Sequence, residues 1–354
     1  MNGQFRTNFL HSSLDCPVCT AQRTRARFFL PGGGVVHRCR DCSVEFLSPQ
    51  PDESRLKDLY SESYYAAWGL SGQSDNESTR AMKTATFRLR LALLRRFLPP
   101  TLSTGAPSTT TAVPSASSIT TAAPSTSPSP GAIPGHPPRI VTPPSSAGPL
   151  APAPRILDVG CATGYFLQLA AAEGFQPFGV EYSAYAAARA RLLFGADAIF
   201  QGTLEQSTFP NASFAAIAMS DLLEHVRIPA TTLTRAASLL TPGGVLLIMT
   251  PDTSSFSHRI MGHRWTHYKP EHLFYFNRRS LANLARRCNL HVVHTQRSKK
   301  ALNLAYLHTQ FSVYRHWLLT PLVAALHRLA PRKLRTRNFY LSIGEMVVIL
   351  KKDP

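Results

Sequence analysis

The stretch that most constrains this chain is RILDVGCATGYFLQLA, Arg155 to Ala170. A short apolar run carrying the β-branched Ile156 and Val159 enters a turn that holds Gly160 and Gly164, and an apolar segment of helical length follows. A strand that feeds a helix through a glycine turn is the first half of a strand–helix–strand unit. Such units build parallel sheets covered by helices. The runs QPFGVEY, AIF, FAAIAM and GVLLIMT continue the alternation, each followed by a helix-length stretch or a turn. NFYLSIGEMVVILKK, at the end of the chain, reads as one further strand, after a long helical segment between Ala301 and Ala330 that Pro321 interrupts. The expected fold class is α/β, with a doubly wound, mostly parallel sheet.

In an open sheet of this kind the ligand lies beyond the carboxyl ends of the strands. Gly160, Cys161, Ala162, Thr163 and Gly164 occupy that place at the first strand. Glycine suits it because the backbone must bend sharply and approach a ligand with no Cβ in the way. The helix starting near Tyr165 aims its first amides at the ligand, which suits a carboxylate or phosphate. A dinucleotide loop reads GxGxxG, whereas this one reads GxAxG followed by Tyr165. That spacing disfavours a pyrophosphate and favours S-adenosylmethionine (SAM). Glu181 ends the second strand, 21 residues after Gly160, where a carboxylate can accept bonds from both ribose hydroxyls.

LDVGCATGYFL, FGVEYS, FPNASFAAIAMSDLLEHV and LLTPGGVLLIMTP follow one another at suitable spacing. Together they resemble the class I SAM-dependent methyltransferase family over about 200 residues. The resemblance implies a seven-stranded Rossmann-like sheet. It also implies that Asp158, Gly160, Ala162 and Gly164 surround the methionine part of SAM, with Glu181 on its ribose and Thr203 and Leu204 near its adenine. Ser220, Asp221 and Leu222 would face the sulfonium. The chain departs from the family pattern at Ala162, where Gly is common, and at Ala215, where Asp is common. The first is a small change, and the second falls at the start of a strand away from the expected site.

Composition divides the chain into three parts. Residues 1–98 hold four of the six cysteines and a helix expected around Thr79 to Phe97, where Met82, Phe87, Leu91, Leu94 and Leu98 recur at near-helical spacing. Residues 99–154 are mostly Pro, Ser, Thr, Ala and Gly with Arg139 as the one charged residue, a composition that cannot offset its ordering entropy by burial. This part is expected to be a disordered or partly polyproline linker, with a Pro-rich docking ligand as the alternative. Residues 155–354 carry the methyltransferase-like pattern.

Cys16, Cys19, Cys39 and Cys42 form CxxC, nineteen residues, then CxxC. Two close thiolate pairs match a structural Zn²⁺ in a small zinc ribbon, with redox-active pairs as the other reading. Cys161 and Cys288 read as small apolar residues. The following residues, CRDCSVEFLSPQPDESRLKDLYSESYY, narrow the resemblance to bacterial sugar C-methyltransferases and related secondary-metabolite methyltransferases, in which a zinc module precedes the catalytic domain. By position Tyr64 and Tyr65 match aromatics that reach the acceptor there, although packing between modules accounts for them as well. Those relatives lack a linker like 99–154, whose closure entropy grows only logarithmically with length.

Methyl transfer from SAM is an in-line displacement that needs positioning and, for a protonated nucleophile, a base. His225 in DLLEHV follows the fourth strand, and Glu271 and His272 lie in WTHYKPEHLFYF, which resembles the acceptor-covering loop of the same group with its catalytic Glu-His pair. His272 is the expected base, with His225 as a second base or orienting residue; a role in holding the loops is the alternative for both.

The net charge of +18 suits an anionic small-molecule acceptor, such as a nucleotide-linked sugar. An RNA methyltransferase and a non-catalytic scaffold are the competing readings; no basic block with interleaved aromatics favours RNA. No run is long and apolar enough for a transmembrane helix and no signal peptide is evident, so a cytoplasmic protein is expected. TQFSVYRHWLLTPLVAALHRLAPRK reads as a helix packed on the catalytic domain, or as a membrane-surface segment. None of these motifs fixes the oligomeric state.

Overall fold

The structure is a computed structural model and describes residues 14–30, 33–52, 77–100, 152–313 and 319–352. Tyr64, Tyr65 and nearly all of the Pro-rich segment lie outside the described residues.

Three short strands come first: β1 (Thr24–Phe29), β2 (Val35–Cys39) and β3 (Glu45–Ser48), followed by helix α1 (Glu77–Phe97). The chain then alternates through β4 (Arg155–Val159), α2 (Tyr165–Ala172), β5 (Gln176–Glu181), α3 (Ala184–Phe194), β6 (Ile199–Gln201), β7 (Phe214–Ser220), α4 (Pro229–Leu239) and β8 (Leu240–Pro251). After α5 (Phe256–Met261) come β9 (Phe274–Tyr275), α6 (Arg278–Arg287), β10 (Leu290–Arg297) and β11 (Lys300–Leu302). Helices α7 (Leu304–Val313), α8 (Leu319–Leu329) and α9 (Arg332–Arg335) precede β12 (Phe339–Leu341) and β13 (Glu345–Lys352).

The main sheet has seven strands in the order β10-β13-β8-β7-β4-β5-β6. Pairing is parallel from β8 through β6, and β13 joins β8 and β10 antiparallel. The expected doubly wound, mostly parallel sheet is therefore present. Strand periodicity divides its side chains between two cores. On β8, Val245, Leu247 and Met249 pack with Leu91 and Leu94 of α1, Phe166 and Leu167 of α2, and Ala187 and Ala190 of α3. Leu246 and Ile248 face the other way, toward Leu233 and Ala236 of α4 and Leu281 and Leu284 of α6. Helix α1 begins two residues before the expected start and lays its apolar stripe on the sheet. Burying a Leu there contributes about 1.5–3 kcal/mol.

The terminal stretch expected as one strand is two. The chain breaks at Gly344, which takes φ 107° and accepts a bond from the Asp252 amide at 2.9 Å. Only a residue without a Cβ fits easily there, since an added Cβ would stand 2.4 Å from Ser257 Oγ. β12 pairs with β11 in a separate ribbon. The segment after Ala301 forms α7 and α8, and Pro321 lies inside α8 rather than between helices. Leu322, Leu326 and Leu329 of α8 are exposed. Among the described residues no helix is long and apolar enough to cross a membrane.

The N-terminal strands form an antiparallel sheet in the order β1-β2-β3-β9. Its last strand comes from the far side of the sequence: Glu45 and Phe46 pair with Tyr275 and Phe274. The fully buried Glu45 binds Arg27, lies 3.7 Å from Arg38, and accepts a hydrogen bond from Tyr268 Oη. Tyr268 in turn meets His258 Nε2 at 2.9 Å. A buried carboxylate with several charge-assisted partners is expensive to strip of any one of them, which fixes the cysteine-bearing ribbon against the loop before β9.

Candidate active site

β4 sits where the strand order reverses, with β5 on one side and β7 on the other. A crevice opens at such a point beyond the carboxyl ends of the strands. The loop from Gly160 to Gly164 lines it. Gly160, Ala162 and Gly164 have φ of 77°, 49° and 84°, the left-handed region that a Cβ disfavours. Gly164 caps α2, and a Cβ on it would come within 2.8 Å of the Phe194 ring. Ala162 holds a left-handed conformation without being glycine, so the departure from the family pattern is a strained position rather than a neutral one.

Glu181 fixes this loop. Its Oε2 accepts the amide of Ala162 and its Oε1 the amide of Ser183, both at 2.8 Å. Each oxygen has a second lone-pair direction, so the bonds to the loop and to a diol are compatible. Asp158, inside β4, is buried, and burial lifts its carboxyl to about 8, with Arg90 pulling it down and Glu181 pushing it up. A cation bound beside it would favour the ionised form.

The remaining residues expected on the donor side lie at or just after the carboxyl ends of β6 and β7. Thr203 follows β6 and donates its amide to Gln206 Oε1 at 3.1 Å. Leu204 is a core residue: its side chain is 2% exposed and packs in the cluster beneath α4, so only its backbone remains for an adenine. Ser220 ends β7, and Leu222 packs over Gly160. Asp221 has φ 54° and meets Arg90 at 3.8 Å and Lys300 at 3.7 Å. Burial works against its charge, but the two cations outweigh that and hold its carboxyl below the usual range. Lys300 also binds Glu345 at 2.6 Å. Neither Arg90 nor Lys300 stands in a recognisable motif; only the packing of α1 and β11 onto the sheet brings them here.

His225 and His272 meet, with ring centroids 4.6 Å apart at 87°. Burial holds His225 at about 4 and His272 well below its ordinary value, so both rings are neutral at pH 7. Glu271 enters through its backbone, its carbonyl 3.1 Å from His225 Nδ1. The carboxylate beside both rings is that of Glu224, 1% exposed and lifted by burial to about 8. The sequence reading passed over Glu224, although DLLEHV places it directly before His225.

The four cysteines converge. Cys16 and Cys42 Sγ are 3.6 Å apart, as are Cys19 and Cys39, and all four sulfurs lie within 4.8 Å of one another. A tetrahedron with metal–sulfur bonds of about 2.3 Å has edges of about 3.8 Å. Thr20 and Ser43, each directly after the second cysteine of its pair, turn the chain back with φ of 61° and 65°. The amides of Asp41 and Cys42 donate to Cys39 Sγ at 3.3 and 3.4 Å, an orientation suited to a thiolate. The residues therefore fit a tetrahedral four-sulfur metal.

Known proteins are similar to this chain over part of its length. A probable S-adenosylmethionine-dependent methyltransferase of Mycolicibacterium smegmatis is 29% identical over 102 residues, 29% of this chain and 40% of the relative. One from Mycobacterium tuberculosis is 28% identical over 102 residues, 29% of this chain and 37% of the relative. The match thus spans about two-fifths of the length of these relatives. Among solved structures, an S-adenosylmethionine-dependent methyltransferase of Mesorhizobium loti superposes with a TM-score of 0.38 at 18% identity, covering 56% of this chain and 91% of that one. A chain from the Haloferax volcanii complex of the Trm112 methyltransferase activator with a candidate methyltransferase gives 0.42 at 18%, covering 58% and 85%. The family model described as a methyltransferase domain matches residues 114–295, more than half of the chain and all of the strands and loops that form the crevice, so the chain belongs to the methyltransferase-domain family.

Proposed function

We propose that this protein transfers the methyl group of SAM to a small-molecule acceptor, a sugar or other secondary metabolite, in the crevice at the end of β4. The observation that carries this reading is the loop from Gly160 to Gly164, held by the Glu181 carboxylate, whose Oε2 accepts the Ala162 amide. When bound, SAM supplies an activated methyl group on a sulfonium. Asp158, Gly160, Ala162 and Gly164 then bind its methionine part, Glu181 its ribose, the Thr203–Leu204 backbone its adenine, and Ser220, Asp221 and Leu222 the region of the sulfonium. His225 and His272 form the acceptor side. Their rings are neutral at pH 7, so each offers a basic nitrogen on which deprotonation of the acceptor can draw. Glu271 positions His225 through its carbonyl.

The four cysteines are proposed to hold a structural Zn²⁺, closed to substrate because four protein ligands complete the tetrahedron. The division into residues 1–98, 99–154 and 155–354 is retained, with Tyr64 and Tyr65 as acceptor contacts from the first part. An anionic acceptor is supported by an open cleft of about 470 Å³ lined by Arg25, Arg38 and Arg40 on the ribbon. That cleft also favours a second reading, an RNA acceptor.

Labelled methyl transfer from SAM to nucleotide-linked sugars and to RNA, at rising salt, separates the two. Product with the sugars supports the first reading. Product with RNA alone, falling steeply with salt, replaces it by the second. Normal turnover by His272→Gln at unchanged SAM affinity would remove His272 from the chemistry.

A further inference from the structure

Glu224, His225 and His272 come from two segments, the turn after β7 and the loop before β9. Backbone bonds lock these together: the amides of Leu273 and Phe274 donate to the Glu224 carbonyl at 2.7 and 3.2 Å. Each of the three side chains offers one ligand atom, and those atoms all lie within 4.8 Å of one another.

Two of these groups are buried, and each keeps one polar atom unpaired among the described residues. Glu224 is 1% and His272 5% exposed, and neither Glu224 Oε2 nor His272 Nδ1 has a hydrogen-bond partner among the described residues. A buried polar atom left unsatisfied costs about 1–3 kcal/mol, more if charged. Here two atoms in one small space carry that cost, which points to an occupant between them.

The histidines narrow its nature. His225 Nδ1 faces the Glu271 carbonyl at 3.1 Å, and the His272 ring hydrogen-bonds the backbone of His267. A ring that donates one N–H to a carbonyl presents its other nitrogen as a lone pair, which is how proteins orient ligating histidines. Two lone pairs and a carboxylate converging on one point call for a cation. The nearby cations Arg90 and Lys300 are matched by Asp221 and Glu345. Lys269 also faces both rings and opposes a cation, which keeps the affinity moderate.

We propose that Glu224, His225 and His272 hold a divalent first-row transition metal at the acceptor end of the crevice, with coordination positions left for a hydroxyl or carbonyl oxygen of the acceptor. Two imidazoles and a carboxylate suit Zn²⁺, Mn²⁺, Fe²⁺ and Co²⁺. The ion lowers the pKa of a bound acceptor hydroxyl, whose proton then leaves to solvent water, so the imidazole lone pairs act through the metal instead of taking that proton directly. This deepens the acceptor half of the proposed function and depends on that function only for the metal's role.

The test is a titration of the full-length, zinc-loaded protein with Mn²⁺, read by loss of the free Mn²⁺ electron paramagnetic resonance signal. Mn²⁺ is chosen because carboxylate and imidazole take it while thiolates favour softer ions. One Mn²⁺ per chain is expected, displaced by Co²⁺, with Glu224→Gln and His272→Ala each weakening it about tenfold or more. SAM affinity, measured on the same samples, reports that each variant is folded. No Mn²⁺ bound by folded wild type at millimolar concentration, or binding unchanged in both variants, overturns the proposal. Mn²⁺ binding without SAM binding would keep the metal and discard the methyl donor, and the reverse result would do the opposite. Using two variants guards against a folding failure in either.

Discussion

Asp158→Asn should abolish proton release on SAM binding. With its carboxyl near 8, Asp158 in the free protein at pH 7 is about nine-tenths protonated. A cationic group of SAM placed about 5 Å away, at an effective dielectric of about 20, would be worth roughly 3 kcal/mol, or about two pKa units. That brings the bound value to about 6, so wild type releases roughly 0.8 proton per SAM at pH 7 and about 0.1 at pH 9. SAM affinity should accordingly rise with pH between about 6 and 8 and level off above. Calorimetric titrations in buffers of different ionisation enthalpy measure the released proton directly. The same shift has a sign in stability. An unfolded Asp ionises near 3.9, so between about 4 and 8 the free folded protein keeps a proton that the unfolded chain has lost, and the Asp158 contribution falls as pH rises through that window. Free Asp158→Asn should therefore melt above wild type at pH 8 and lose that advantage near pH 4. Binding enthalpies independent of buffer at pH 7, or equal proton release by wild type and Asp158→Asn, would refute the reasoning.

Chelating the metal proposed at the four cysteines should release β9 before the main sheet, because β9 is the shared edge of the ribbon. Hydrogen exchange at Phe274 and Tyr275 should accelerate while the central strand β8 stays protected; unchanged exchange at both would show that the ribbon needs no metal. Gly164→Ala puts a Cβ at φ 84° and 2.8 Å from the Phe194 ring. It should cost about 1–2 kcal/mol in thermal or denaturant unfolding, together with weaker SAM binding; a variant as stable as wild type would show that the loop relaxes.

The parts legible in the sequence are those set by local backbone chemistry. Gly160 and Gly164 announce their turn because only their residue type sits easily at positive φ, and the paired cysteines bring their own spacing. β4, β5, β7 and β8 are buried on both faces, so they read as plain apolar runs. What was missed depends on distant chain segments. β10 lies at the sheet edge, so LHVVHTQR mixes polar residues into a strand and gives no apolar run. Glu271 reaches His225 through its carbonyl, and adjacency to His272 in the sequence does not say that the carboxylate beside both rings is the one the turn after β7 brings up, that of Glu224. The resemblance implies Leu204 near the adenine, whereas its apolar side chain is drawn into the core. The positive φ of Ala162 could not be foreseen from the absence of glycine.

The most direct test of the central claim is an equilibrium titration of SAM into folded wild type and Glu181→Ala. Removing the carboxylate that holds the loop at 2.8 Å and is proposed to bind the ribose should weaken binding about tenfold or more. Saturable binding by wild type, lost or weakened in Glu181→Ala, is the predicted result. A folded wild-type protein that binds no SAM, or a Glu181→Ala variant that binds it equally well, would contradict the account.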